Sequence, residues 1–275
     1  MRSSAETVET RTALVVGASG IAGSALVDRL TEEGWDVVGL SRKPLRRRGV
    51  RHVSADLTSV ENLRQALAGV SPTHVFYTAW SRRKTEQENI DTNAGMLRNV
   101  LASLNGKPVK HVALMTGLKH YLGPFEAYAA GEMPDTPFRE SEPRLPTPNF
   151  YYAQEDELWA AAAKQGFGWS VHRAHTVIGH AVGNAMNMGL TLAVQASICK
   201  ELGSAIAARH GLAEPDLAQV ASWWHTDGDL GRNLEVVTDM SKSRLAGFTG
   251  YRSTETAFLQ LFDRYRADGL IPASS

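Results

Sequence analysis

Through the first two thirds of the chain, short apolar runs alternate with stretches in which apolar residues recur at helical spacing. The run Ala13 to Val16 reads as a buried strand, and Ile21 to Glu33 as a helix with Ile21, Ala25, Leu26 and Leu30 on one face and Gly34 to end it. Strands follow at Asp36 to Leu40, Val50 to Ala55, His74 to Thr78, His111 to Met115 and Gly168 to Arg173. Between them the spacing predicts helices over Val60 to Leu67, through Asn93 and Leu104, and over Tyr151 to Gln165, where Leu158, Trp159 and Ala162 face inward. A further helix spans Met188 to Lys200. This alternation predicts an α/β fold of the Rossmann type, a doubly wound parallel sheet.

Two regions depart from the alternation. From Tyr121 to Pro148, six prolines interrupt any regular element, and a long irregular stretch inside a compact domain is more often functional than accidental. The last third is less regular: Ser222-Trp-Trp-His225 opens a segment leading to Glu235-Val-Val237, a short helix follows Asp239, and a final helix runs from about Thr254 to Asp268 with Phe258, Leu261, Phe262 and Tyr265 as its stripe. The expected organisation is a disordered tail over 1–10, a dinucleotide-binding Rossmann domain, read below as NADP(H)-binding, over 11–185, and a reduced substrate-binding portion packed on it over 186–275.

The first strand ends in Gly17-Ala-Ser-Gly-Ile-Ala-Gly23 as the first helix begins. Glycines there let the backbone turn sharply and gather bare N–H groups at the positive end of a helix, an arrangement suited to a pyrophosphate. Gly17, Ser19, Gly20, Ile21 and Gly23 are the residues of this turn. At the end of the second strand, where an acid would favour NAD, stand Ser41, Arg42 and Lys43; a base there accommodates the 2′-phosphate of NADP(H), and Arg42 is its partner of choice through a planar charged fork. Arg46, Arg47 and Arg48 read as a solvated basic loop. Asp56 and Leu57 follow the third strand at the edge where adenine packs in such folds.

Composition narrows the classes. The 275 residues carry 29 basic and 29 acidic side chains, and this balance gives no general pull toward nucleic acid or an anionic membrane. Cys199 is the one cysteine, which excludes an internal disulfide and a cysteine-based metal site and fits a cytoplasmic setting. No stretch has the ~18 uninterrupted apolar residues of a spanning helix, and the polar first ten residues lack an apolar core. His172, His175 and His180 read as structural, and Gly17-Ala-Ser-Gly20 lacks the spacing of a hydrolase elbow. Trp223 and Trp224 suit a pocket wall or the core equally.

Reduction by a nicotinamide needs a group that stabilises oxygen as it gains charge. Short-chain dehydrogenases use a tyrosine with a lysine four residues further along the same helix; here Glu155 and Asp156 stand four after Tyr151 and Tyr152. Lys119, just past the fifth strand in Thr116-Gly-Leu-Lys-His120, is the candidate from elsewhere, although a loop lysine is usually a solvated charge.

The runs Met115-Thr-Gly-Leu-Lys-His-Tyr-Leu-Gly-Pro-Phe-Glu126, Pro148-Asn-Phe-Tyr-Tyr152 with Glu155-Asp156, and Trp169-Ser-Val-His-Arg173 resemble the progesterone 5β-reductase/iridoid synthase-like family of enone reductases, atypical short-chain dehydrogenases. The likeness runs from the glycine turn to Lys200 and resumes from Ser222 through Asp239-Met-Ser-Lys-Ser243, Gly247-Phe-Thr-Gly-Tyr251 and Ile271-Pro272. It implies a catalytic pair of Lys119 and Tyr151, the latter chosen over Tyr152 by its spacing from the lysine. It also implies NADPH as hydride donor to the β-carbon of an α,β-unsaturated carbonyl, with Thr78, Ala79, Trp80 and Thr116 bordering the cofactor. The chain departs from the family between Lys200 and Ser222, where only Glu201 to Ala221 replaces a further strand and a substantial substrate-binding segment, and at Ala174 and His175, where the family has Gly and Pro. Three readings of that shortening stand open: a site completed in a homodimer, a site for small enones or aldehydes, and a non-catalytic NADP(H)-binding redox sensor. Reduction of simple aldehydes and ketones is the neighbouring activity.

Overall fold

A computed structural model of the chain describes residues 11–42, 44, 45, 47–124, 134–184, 186–201, 209–214, 216, 219–221, 223–231 and 235–273. Lys43, Arg46, Ser222, the first ten residues and much of the segment from Glu201 to Ala221 lie outside the described residues. The structure divides into two compact units, one within Met1–Lys119 and Thr147–Ala174, the other within His120–Pro146 and His175–Ser275.

The first unit is built on six parallel strands, β1 (Thr12–Val16), β2 (Asp36–Leu40), β3 (Val50–Val53), β4 (His74–Tyr77), β5 (His111–Gly117) and β6 (Gly168–Ala174), in the order β3-β2-β1-β4-β5-β6. Helices α1 (Ile21–Glu32), α2 (Val60–Ala66), α3 (Glu86–Ser103), α4 (Lys119–Leu122, one turn) and α5 (Phe150–Gln165) connect them. Both faces of the sheet are buried: Leu14, Val16, Val38, Leu40 and Leu114 pack with Leu97, Leu101 and Leu158 on one side, while Ala13, Val15 and Val37 pack with Val27 and Leu30 on the other. Burial on both faces is why β1 and β2 read as continuous apolar runs, whereas β3 and β6 are only partly covered. Strand order reverses at β1, with β2 on one side and β4 on the other, and the crevice outside the carboxyl ends at such a reversal is the usual ligand position in open α/β sheets.

Several expected boundaries shift. β3 stops at Val53, β5 runs on to Gly117, and the expected loop after it forms the single turn α4. The buried face of α1 is Ile21, Gly23, Ser24, Val27 and Leu30; Ala25, expected on that face, is exposed and Leu26 only partly covered. Close approach of helix and turn causes the rotation: a Cβ on Gly23 would stand 2.2 Å from the Gly17 carbonyl oxygen, so the small residues turn inward. Gly23→Ala is therefore expected to cost about 1–3 kcal/mol, the range for overpacking a closed contact, read by urea denaturation; a change near zero would contradict this packing.

The second unit has its own core. Leu190, Ala193 and Val194 of α6 (Met188–Glu201) pack with Val220, Ala221, Leu270, Ile271 and Leu261 and Tyr265 of α9 (Thr254–Ala267). The Tyr265 hydroxyl donates to the Gly179 carbonyl at 3.1 Å, and burial pushes its pKa up to about 12. Between α6 and α9 lie α7 (Trp223–Leu230) and α8 (Ser241–Leu245). The proline-rich stretch is anchored here by Phe138, which is 1% exposed and bridges to Thr238. Trp223 and Trp224 are 38% and 53% exposed, so neither fills this core. No helix among the described residues is long and apolar enough to cross a membrane.

Candidate active site

The glycine turn sits at the strand-order reversal. Gly17 has φ +87°, where an L side chain is strained, and a Cβ there would lie 2.9 Å from Thr78 Oγ1 and 3.0 Å from the Ala79 nitrogen. The turn is pinned by Gly17 and Ala18 N–H groups, which donate to the Leu40 carbonyl at 2.9 and 3.1 Å, and by the Gly20 N–H on the Gly17 carbonyl. Gly20 caps α1 with no side-chain hydrogen bond, Ile21 opens the helix, and Ser19 is exposed beside it. A helix start with a positive end and no side chain over it fits the pyrophosphate of a dinucleotide.

At the carboxyl end of β2, Ser41 is buried and its hydroxyl lies 3.1 Å from His52 Nε2 of β3. Arg42 is exposed, and its carbonyl accepts from Ser54 Oγ at 3.4 Å. Beyond β3, the Asp56 carboxylate accepts from the Thr58 N–H and hydroxyl at 2.9 and 2.8 Å. These two bonds, with the Arg42 charge nearby, hold its pKa below the usual aspartate value. Leu57 is partly buried and its carbonyl takes the Asn99 amide at 3.0 Å. The structure thus groups Ser41, Arg42, Asp56 and Leu57 along the β2–β3 edge, and adds His52. Periodicity alone could not single out His52, because a histidine within a strand is ordinary.

Just past the end of β4, Thr78 donates through its backbone N–H and its hydroxyl to the Val16 carbonyl, both at 2.9 Å, which ties the strand end to the glycine turn. Ala79 backs the turn, and Trp80 stacks on Phe150 with ring centroids 5.7 Å apart and planes at 4°. Thr116 of β5 is buried.

Two segments meet at the end of β5. Asn149 caps α5, its Oδ1 accepting from the Tyr151 and Tyr152 N–H groups at 3.0 and 3.3 Å. The turn so formed carries the Tyr151 hydroxyl over Gly117, where a Cβ would lie 3.0 Å from it. Tyr151 is half-buried, whereas Tyr152 is only 7% exposed. Lys119 is 1% exposed, which corrects the picture of a solvated loop lysine: its Nζ lies 3.2 Å from Glu86 Oε2 and 5.2 Å from the Phe150 ring centre. Glu155, four residues after Tyr151, is turned inward and paired with Arg173 at 3.3 Å. Reasoning from sequence missed Glu86. An acid opening a helix reads as a partner of the helix dipole, and nothing in local spacing says that it folds back onto a lysine 33 residues later.

His172 of β6 lies within 2.9 Å of the Ser170 hydroxyl, and His180 Nε2 lies 2.6 Å from the Asp268 carboxylate in the second unit.

Comparison with known proteins gives three findings. The family profile described as "NAD dependent epimerase/dehydratase family" matches residues 13–231. Among characterised proteins, the chain is 40% identical over 205 residues to 3-oxo-Delta(4,5)-steroid 5-beta-reductase of Arabidopsis thaliana, covering 70% of this chain but 53% of that protein. To (S)-8-oxocitronellyl enol synthase ISY1 of Nepeta cataria it is 28% identical over 362 aligned positions, covering 94% of this chain and 93% of that one. Against the steroid reductase the chain thus spans about half the length of its relative. Since it has 275 residues, at least 87 positions of the longer alignment have no counterpart in it. Among solved structures, Bordetella bronchiseptica WbmG in complex with NAD covers 97% of both chains at a TM-score of 0.65 and 15% identity. The Thermotoga maritima UDP-glucose 4-epimerase reaches 0.61, also at 15% identity, over 93% of this chain and 99% of its own. These structures share the fold.

Proposed function

The chain belongs to the NAD dependent epimerase/dehydratase family, and from that membership we propose that it is an NADPH-dependent reductase of α,β-unsaturated carbonyl compounds. The observation that carries this reading is the Tyr151 hydroxyl over the carboxyl end of β5, with a buried lysine two residues beyond that end. Identity to a steroid 5-beta-reductase and likeness to an enol synthase support the reaction class. In this reading the glycine turn of Gly17, Ser19, Gly20, Ile21 and Gly23 takes the pyrophosphate, and Asp56 and Leu57 flank the adenosine. Thr78, Ala79, Trp80 and Thr116 border the nicotinamide half.

When bound, NADPH supplies a hydride to the substrate's β-carbon. The residues of this chain do the rest: Tyr151 donates a hydrogen bond to the carbonyl oxygen, which gains charge as the enolate forms, and the Lys119 ammonium lowers the cost of that charge. A preorganised donor and a fixed charge in a place shielded from water are worth far more than the same groups in solution. The α-carbon of the enolate then takes a proton from solvent water to give the saturated carbonyl product.

The exposed Arg42 at the carboxyl end of β2 supports the phosphate-bearing cofactor. Arg42→Ala is expected to weaken NADPH about tenfold to a hundredfold, the worth of a charge-assisted fork, and to change NADH affinity by less than about twofold. Equal weakening of both, measured by fluorescence titration, would remove the phosphate assignment. The reaction itself is tested by following NADPH consumption with a panel of small enones and aldehydes. Turnover of enones is expected. Turnover confined to aldehydes would reassign the protein to simple carbonyl reduction, and tight NADPH binding without turnover of any member would make it a cofactor-binding protein, the reading favoured by the missing positions.

A further inference from the structure

We propose that Glu86 is the positioning residue of the Lys119/Tyr151 pair, a single carboxylate that holds the lysine with one oxygen and the start of the tyrosine's helix with the other. The proposal rests on the roles assigned to Lys119 and Tyr151 above. Glu86 Oε2 lies 3.2 Å from Lys119 Nζ, and Glu86 Oε1 accepts the Phe150 N–H at 3.0 Å. Phe150 immediately precedes Tyr151, so α3, α5 and Lys119 are tied together at one side chain.

Capping does not account for this acid. Thr85 caps α3 by accepting the Glu88 N–H, and the Glu88 carboxylate returns to the Thr85 N–H at 3.2 Å and takes the Lys84 N–H at 3.0 Å, so the helix start is satisfied without Glu86. Glu86 instead turns inward to 16% side-chain exposure. It is itself held: Asn89 Nδ2 donates to Oε2 at 3.2 Å, while Asn89 Oδ1 takes the Arg83 N–H at 2.7 Å and fixes the loop that leads from β4. Three donors on one carboxylate orient it toward the lysine rather than toward solvent.

The chemical consequence follows from burial. An ammonium that is 1% exposed is stable in its charged form only with a counter-charge and good geometry, because desolvation favours the neutral amine. Glu86 on α3 is a charged group against it, and Tyr151 on α5 is a titratable group over the end of β5, the strand that leads to Lys119. The carboxylate therefore keeps the lysine protonated and aimed, while its other oxygen fixes the helix start from which the tyrosine projects. It touches no reacting atom and works through these two residues.

Glu86→Gln keeps an acceptor for Phe150 and removes the charge. Expected are a fall in kcat for enone reduction of at least about tenfold at neutral pH, NADPH Kd within about threefold of the parent, and a basic limb of the kcat–pH profile moved down by at least about one unit. A merely structural glutamate would lower kcat equally at every pH, and an unmoved limb would overturn the proposal. If Glu86→Gln does not fold, Glu86→Asp serves: it retains the charge but cannot span both partners, so the limb should stay in place with kcat reduced about threefold or more, and an unchanged kcat would overturn the proposal. Should the parent protein reduce no enone, the assigned reaction fails while this inference is still read directly, by NMR titration of 13Cε-lysine-labelled protein with Lys119→Met for assignment. Lys119 should then lose its proton at lower pH in Glu86→Gln than in the parent, and identical titrations would overturn the assignment.

Discussion

Tyr151→Phe is expected to lower kcat for enone reduction by about a hundredfold to a thousandfold while leaving NADPH Kd nearly unchanged. That is the range for removing one preorganised donor from a developing oxyanion. The substitution deletes one oxygen and keeps the ring, so its packing beside Phe150, with ring centroids 4.1 Å apart, survives. Tyr152→Phe is the control: that ring is buried one residue further on, and its loss of a hydroxyl should leave the rate within a few-fold. A full rate in Tyr151→Phe, with a large loss in Tyr152→Phe, would move the assignment by one residue.

The second large effect is expected at Lys119. Lys119→Met leaves the Glu86 carboxylate inward and without its ammonium, which should cost about 3 kcal/mol, the lower end for breaking a buried pair because Glu86 keeps some exposure. Enone turnover should fall with it by at least about tenfold. Adding Glu86→Gln to Lys119→Met should restore part of the stability, since a neutral amide tolerates that site better than an uncompensated charge, but should restore none of the turnover. Urea denaturation of the two single variants and the double variant reads this directly. Additive losses would mean that the pair is not coupled.

The centre of the fold was legible because β1 and β2 are buried on both faces and announce themselves as apolar runs. β2 and the first strand of the glycine turn need no tertiary information beyond that burial. The register of α1 was not legible, because glycine and serine carry no hydrophobic signal; Gly23 and Ser24 lie inward through a close backbone approach that only the folded turn creates. The single turn at Lys119 was missed for a related reason: four residues at the end of a strand show no helical period. In the site, spacing and strand position picked out the glycine turn, Arg42 and Asp56, and family likeness picked out Lys119 and Tyr151. Glu86 escaped both, since its partner is 33 residues away along the chain and its role depends on a hydrogen bond to a backbone N–H a further 31 residues on.

The shortened region bears on what the site can accept. At least 87 positions of the enol synthase alignment have no counterpart here. We expect small, unhindered enones to be better substrates than steroids, because less protein is available to exclude water from a large ligand.

In the proposed reaction, hydride goes to the β-carbon of a conjugated carbonyl. The most direct measurement is to react a small enone with NADPH carrying deuterium at the transferred position and to locate the label by NMR of the product. Deuterium is expected on the β-carbon of a saturated carbonyl compound. Deuterium on the former carbonyl carbon, in an allylic alcohol, would contradict it.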